Sequence, residues 1–156
     1  MIYSGKRRQR QVVRFVDLVV GDALHAPSVA FNVAAPRPRR GSRPIRRADG
    51  RLVCERCTIA RSPLRRMRGL LGRSDLGSHE GIYLEPAGSI HTFFMRFAID
   101  AVFLDRDGRV LRVAAALPPW RTAAARGARA VLELRAGECA RRGIAAGDVL
   151  EIGAAA

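Results

Sequence analysis

Ser89-Ile90-His91-Thr92-Phe93-Phe94-Met95-Arg96-Phe97-Ala98-Ile99-Asp100-Ala101-Val102-Phe103-Leu104-Asp105 is the stretch on which the fold turns. Two short apolar runs, rich in aromatic and β-branched residues, flank a segment holding one Arg and one Asp. Runs of this length and composition read as strands, here Ile90 to Met95 and Val102 to Leu104. Asp105-Arg106-Asp107-Gly108 follows at once, and then the apolar run Arg109 to Val113. A polar tetrad ending in Gly between two such runs predicts a hairpin, with Gly108 at the positive-φ position. Pro118-Pro119 ends the second arm, because proline cannot donate to a ladder.

Outward from this hairpin the same punctuation recurs. Arg51 to Ala60, Gly81 to Glu85, Val131 to Leu134 and Val149 to Ile152 read as strands. Ser62-Pro63 starts a helix as N-cap and first helical residue, with Leu64, Met67 and Leu71 at helical spacing and Gly72 closing it. Ala136 to Gly143 suits a second short helix. Six or seven short strands and one or two small helices predict a mainly β domain, α+β at the margin. The expected architecture is a compact antiparallel β-sandwich or a barrel-like domain.

The 156 residues suffice for one core. The net charge of +14 is uneven: residues 1–51 hold 12 basic and 3 acidic groups, residues 52–156 hold 16 and 11. Only Lys6 among the 28 basic residues is a lysine. Such a balance raises nucleic-acid binding, but no recognised groove-reading or base-stacking motif accompanies it, so specific nucleic-acid recognition is not expected. Ala35-Pro36-Arg37-Pro38-Arg39-Arg40-Gly41-Ser42-Arg43-Pro44 has too little apolar surface to offset its ordering entropy and reads as a mobile linker. Residues 1–50 are thus expected to be a poorly ordered basic extension, and residues 51–153 a single β-rich domain. Two accounts of the extension stand: a start assigned too far upstream, or a basic tail that docks on an acidic protein partner. There is no transmembrane-length apolar run, and the basic N-terminus is followed by no clean signal-peptide core. A cytoplasmic monomer is the expectation.

Cys54-Glu55-Arg56-Cys57 is a lone CxxC. Zinc asks for four ligands, and Cys139, His79, His91 and His25 lie at no motif spacing from it. In a regular strand residues three apart face opposite ways, so the thiols should diverge. Cys54 and Cys57 are therefore weak metal candidates, and no metal or other cofactor is implied. His91, Phe93 and Met95 would share one strand face, and Ile90, Thr92 and Phe94 the other. On a cavity wall His91 would be a ligand-binding group or general base, and otherwise a half-exposed satisfied histidine. Arg96 and Asp100 form either a loop clamp or an anion fork in which Asp100 orients Arg96. Arg68 and Arg73 either add to that anion site or offset a helix C-terminus. Trp120 rims a pocket or plugs a sandwich end. Glu133, among Val131, Leu132 and Leu134, is solvated or paired with Arg135 or Arg112. No Gly-x-Ser-x-Gly elbow, P-loop, HExxH or dinucleotide fingerprint is present.

Arg68-Gly69-Leu70-Leu71-Gly72-Arg73, Gly81-Ile82-Tyr83-Leu84, Phe93 to Asp100, Val131 to Gly137 and Gly143 to Asp148 occur in an order that resembles the domain of unknown function 192 family from about Arg51 to Ile152. The resemblance implies a sandwich-like β fold with a helix near its start, and no activity. The family pattern carries Trp and Asn around the Met-basic pair and a Pro before the Leu-Asp; Phe94, Phe97 and Ala98 stand there in this chain. The functional expectation is a binding module for a small polar or anionic ligand, anchored by Arg96. Two alternatives stand beside it. One is a protein-interaction component using the basic extension; the other is an enzyme of unassigned class using His91 with Asp100 or Glu133.

Overall fold

The computed structural model describes residues 42–154, the side chains of Met67 and Arg68 excepted. The readings of residues 1–41 lie outside these. The elements, in chain order, are β1 (Ser42–Arg47), β2 (Leu52–Ala60), α1 (Pro63–Arg68), β3 (Glu80–Leu84), β4 (Ser89–His91), β5 (Ile99–Leu104), β6 (Val110–Leu117), β7 (Thr122–Ala124), β8 (Ala130–Arg135), α2 (Glu138–Arg142) and β9 (Leu150–Ile152). Seven strands form one sheet in the order β6-β5-β8-β3-β2-β1-β9, and β4 pairs with β7 in a separate ribbon. Only β2 and β3 run parallel, and α1 lies in the crossover between them. The fold is mainly β, as its sequence implies, and the sheet is not closed into a barrel. Its edges do meet at one end, where Val110 N–H donates to Asp148 C=O and Leu150 N–H to Gly108 C=O.

Period-2 alternation along the central strands feeds two cores. Val102, Leu104, Leu132 and Leu134 join Ile45, Val53 and Cys139 on one side. Ile99, Ala101, Phe103, Val131, Ile82 and Leu84 join Leu70, Leu76, Ile90 and Met95 on the other. β5 and β8 are thus covered on both faces. The second core is roofed by the segment after α1 and by the β4–β7 ribbon, and this places the candidate site.

The sheet starts at Ser42, earlier than the composition suggests. Pro44 sits where the β1–β2 register shifts, so its missing N–H interrupts no ladder bond, and its C=O accepts from Gly153 N–H at 2.8 Å. α1 has the predicted Ser62 cap, whose side chain accepts from Arg65 N–H, but it closes at Gly69 and not at Gly72. The β5–β6 turn is built as predicted, with Gly108 at φ +79°.

Candidate functional site

A cleft of about 360 Å³ opens above the second core. Arg66, Gly69, Leu70 and Leu71 form its wall at the end of α1. Leu84 and the chain from Pro86 to His91 form the opposite wall, and Met95 and Glu133 complete it. The lining is mixed: Leu70, Leu71, Leu84, Ile90 and Met95 give it an apolar part, while Arg66, Ser89, His91, Glu133 and exposed backbone make the polar part slightly the larger. Arg66 is held by its own neighbours: Nη1 donates to Arg61 C=O at 2.8 Å and to Glu85 C=O at 3.3 Å.

Glu133 is the polar group that stands out. It faces the same way as Val131 on β8, and it is only 4% exposed. Neither expected partner, Arg135 nor Arg112, reaches it. Its Oε2 is buried with no hydrogen-bond partner, and burial pushes the carboxyl up to about 7. An orphaned buried carboxyl costs free energy, and this one lies on a cleft wall.

At the rim, the strand expected from Ile90 to Met95 stops at His91, and the chain turns. Ile90 and Thr92 point inward, while His91, Phe93 and Phe94 are exposed and Met95 is buried. The expected sharing of one face by His91, Phe93 and Met95 fails at this turn, where Phe94 takes φ +63°. His91 stacks on Phe93 with centroids 5.1 Å apart, Phe93 meets Trp120 at 5.9 Å, and Phe94 meets Trp120 edge-on at 4.7 Å. Trp120 plugs nothing: it is 54% exposed.

Arg96 and Asp100 are not brought together. Arg96 is exposed and has no ion-pair or hydrogen-bond partner among the described residues. Asp100 is fully buried on the other side of the sheet, where Oδ1 accepts from Ala116 N–H and Oδ2 from Cys139 N–H, both at 2.8 Å. It is a clamp on backbone, with no reach to the cleft. Arg73 pairs with Glu80, and the Arg68 side chain lies outside the described residues.

The geometry can be set beside other proteins. The DUF192 profile, described as an uncharacterized ACR, matches residues 45–152. The chain belongs to the DUF192 family. A protein of unknown function from Novosphingobium aromaticivorans shares the fold with a TM-score of 0.64 at 29% identity, over 81% of this chain and 99% of its own. A candidate transcription regulator from Sinorhizobium meliloti is similar in fold alone, at TM-score 0.65 and 24% identity, over 71% of this chain and 93% of its own. A comparison with curated proteins finds no match.

Within the DUF192 domain the CxxC departs from strand geometry. The β1–β2 register slips between Arg43 and Ile45 and again between Ile45 and Arg46, each time adding a residue to β2. The first of these bulges, which lies between Cys54 and Cys57, turns both to the same core, where they are fully buried as free thiols. Burial, a hydrogen bond with Cys54 and nearby charge push the Cys57 thiol up, which makes it a poor nucleophile. Among the described residues no group of three His, Cys, Asp or Glu is placed to hold a metal. Nor is any helix there long and apolar enough to cross a membrane.

Sequence reading missed Thr92 and β7. Thr92 looked like one more strand residue, and Thr122-Ala123-Ala124 is too short and too alanine-rich to signal a strand.

Proposed function

We propose that this DUF192 domain is a binding module for a small molecule with an apolar body and a hydrogen-bond-donating head, an amine or a hydroxyl. The observation that carries the reading is the unpartnered Oε2 of Glu133 beside the apolar side chains of a mixed cleft. Leu70, Leu71, Leu84, Ile90 and Met95 would bury the body, and Glu133 would accept from the head. A deep carboxyl disfavours an anionic head in the same place, because two buried carboxylates repel. The sequence had suggested an anion anchored by Arg96; with Arg96 not among the residues that line the cleft, that chemistry loses its anchor.

The test is a thermal-shift series on the full chain with n-hexylamine, n-hexanol and n-hexanoate, in wild type and Glu133→Leu. Amine or alcohol should stabilise the wild type, by about 2.7 kcal/mol at a hundred times the dissociation constant. Glu133→Leu should lose that shift. Equal shifts from hexanoate, or shifts that survive the substitution, overturn the reading.

A further inference from the structure

The exposed rings of Phe93, Phe94 and Trp120 are unused by the cleft, and their setting is unusual. Phe94 and Trp120 both sit in the left-handed region, at φ +63° and +62°. Non-glycine residues there cost free energy and persist only where surrounding bonds fix them. The fixing group is Thr92. Its N–H donates to Arg121 C=O at 2.8 Å, its C=O accepts from Trp120 N–H at 3.0 Å, and its hydroxyl donates to Pro118 C=O at 2.7 Å while accepting from Arg121 N–H at 2.9 Å. The rings are therefore held out to solvent on a stiff frame, Phe94 at 70% exposure.

The charge around them is one-signed. Residues 86–99 and 108–132 contain six arginines and no Asp or Glu. All six are exposed and make no ion pair among the described residues; five of them, Arg96, Arg112, Arg121, Arg126 and Arg129, lie at the ribbon and its loops, while Arg109 lies away from it, donating to Gly147 C=O at 3.3 Å. Elsewhere pairing is commoner: Arg47, Arg51, Arg56, Arg61, Arg73, Arg106, Arg135, Arg141 and Arg142 have carboxylate partners, and Arg43, Arg46, Arg65 and Arg66 have none among the described residues. The five are placed along the ribbon by its register and its loops. Arg96 and Arg121 adjoin the rings. Arg112 bonds Ala124 C=O at 2.7 Å, at the far end of the β4–β7 ribbon, and Arg126 and Arg129 lie in the loop beyond it.

We infer that this ribbon face binds single-stranded nucleic acid without base specificity, stacking bases on Phe93, Phe94 and Trp120 and passing the backbone along the arginines. Stacking rings beside a basic track are the two parts such sites require. A lipid surface would need the cations to collar the aromatic tip; here three of the five lie at the other end of the ribbon. A glycan platform would need carboxylates or amides beside the rings, and residues 91–97 and 118–121 hold no Asp, Glu, Asn or Gln. The expectation that specific nucleic-acid recognition is absent is untouched, since no base edge is read.

Trp120 is the single tryptophan of the chain, so its emission reports this site and not the basic N-terminal residues. The full chain is titrated at low salt with oligothymidylate of about 15 nucleotides, reading label anisotropy and Trp120 emission together. Binding with quenched Trp120 emission is expected, weakened roughly ten- to a hundredfold by Phe94→Ala, as for loss of one stacking ring. Arg126→Ala with Arg129→Ala, both exposed, should reduce the slope of log K against log salt by about 1.4. Their folding is checked by circular dichroism, and the wild-type quench stands without any variant. Binding without quenching means a polyanion effect of charge alone and overturns the proposal. So does absence of binding, or emission changes with phosphatidylserine vesicles and none with the oligonucleotide.

Discussion

The hydroxyl of Thr92 donates to the carbonyl of Pro118 at 2.7 Å, and with the bonds of Thr92 to Trp120 and Arg121 it ties the turn after β4 to the loop before β7. Thr92 is fully buried, so each of its bonds is made away from water. Thr92→Val keeps the shape and removes the hydroxyl, leaving the Pro118 carbonyl and the Arg121 N–H short of a partner. The expected cost is about 1–3 kcal/mol in urea unfolding. The near-ultraviolet dichroism of Trp120 should fall as well, because its ring loses its frame. An unchanged dichroism would show that the loop holds itself.

Asp100 takes two backbone N–H groups from elements far apart in sequence. One is Ala116, whose amide is freed where the β5–β6 register shifts; the other is Cys139, at the start of α2. Asp100→Ala orphans both donors, and a loss of about 3 kcal/mol or more is expected, with Asp100→Asn smaller because one acceptor remains. Arg96→Ala, at an exposed and unpaired position, should stay within about 0.5 kcal/mol of wild type. Chemical denaturation of the three variants side by side decides it: equal effects of Arg96→Ala and Asp100→Ala would restore the idea of an Arg96–Asp100 unit.

Much of the sheet was legible because punctuation and alternation agree: the Asp105–Gly108 turn, the Ser62-Pro63 start and the run Val131 to Leu134 all lie where they were read. The failures have local causes. Ile45 is the single large apolar residue of β1, so a strand that completes the sheet looks like linker. One bulge in β2 between Cys54 and Cys57 reverses the facing of Cys57 relative to Cys54, and no sequence pattern marks a bulge that lacks glycine. The left-handed turn at Phe94 breaks an alternation that looked regular. For the candidate site, the aromatic segment and Glu133 were both legible as candidates, but the burial of an unpartnered Glu133 beside the cleft was not. A charged residue inside an apolar strand reads as solvated or paired until the second covered face of β8 is known.

Gly108 is fixed by a close approach as well as by its turn. A Cβ there would lie 2.4 Å from the carbonyl oxygen of Leu150, at φ +79°. Gly108→Ala must push β9 away from the start of β6, where Leu150 N–H donates to Gly108 C=O at 2.9 Å. A destabilisation of at least about 1–2 kcal/mol is expected from the left-handed strain alone. Hydrogen exchange should quicken at Val149 to Ile152 first. Exchange that quickens uniformly would mean that the edge contact is not what Gly108 protects.

Glu133 makes the fold's stability fall as pH rises. Its carboxyl is pushed up by burial to about 7, from an ordinary value near 4.5. Below about 4.5 the folded and unfolded chains both hold the proton, and the neutral carboxyl keeps its full contribution. Between 4.5 and 7 only the folded chain holds it, so stability drops with each pH step; above 7 neither does, and the loss is complete. The drop from pH 5 to pH 8 amounts to about 2.5 kcal/mol. Glu133→Gln cannot ionise, so its melting temperature relative to wild type should rise across this window and level off above it. A ligand whose ammonium or hydroxyl reaches Oε2 should shrink that difference by holding the ionised form. A difference between Gln and Glu that stays constant from pH 5 to pH 8 would mean that Glu133 titrates as an ordinary surface carboxyl, and the buried orphan would lose its meaning.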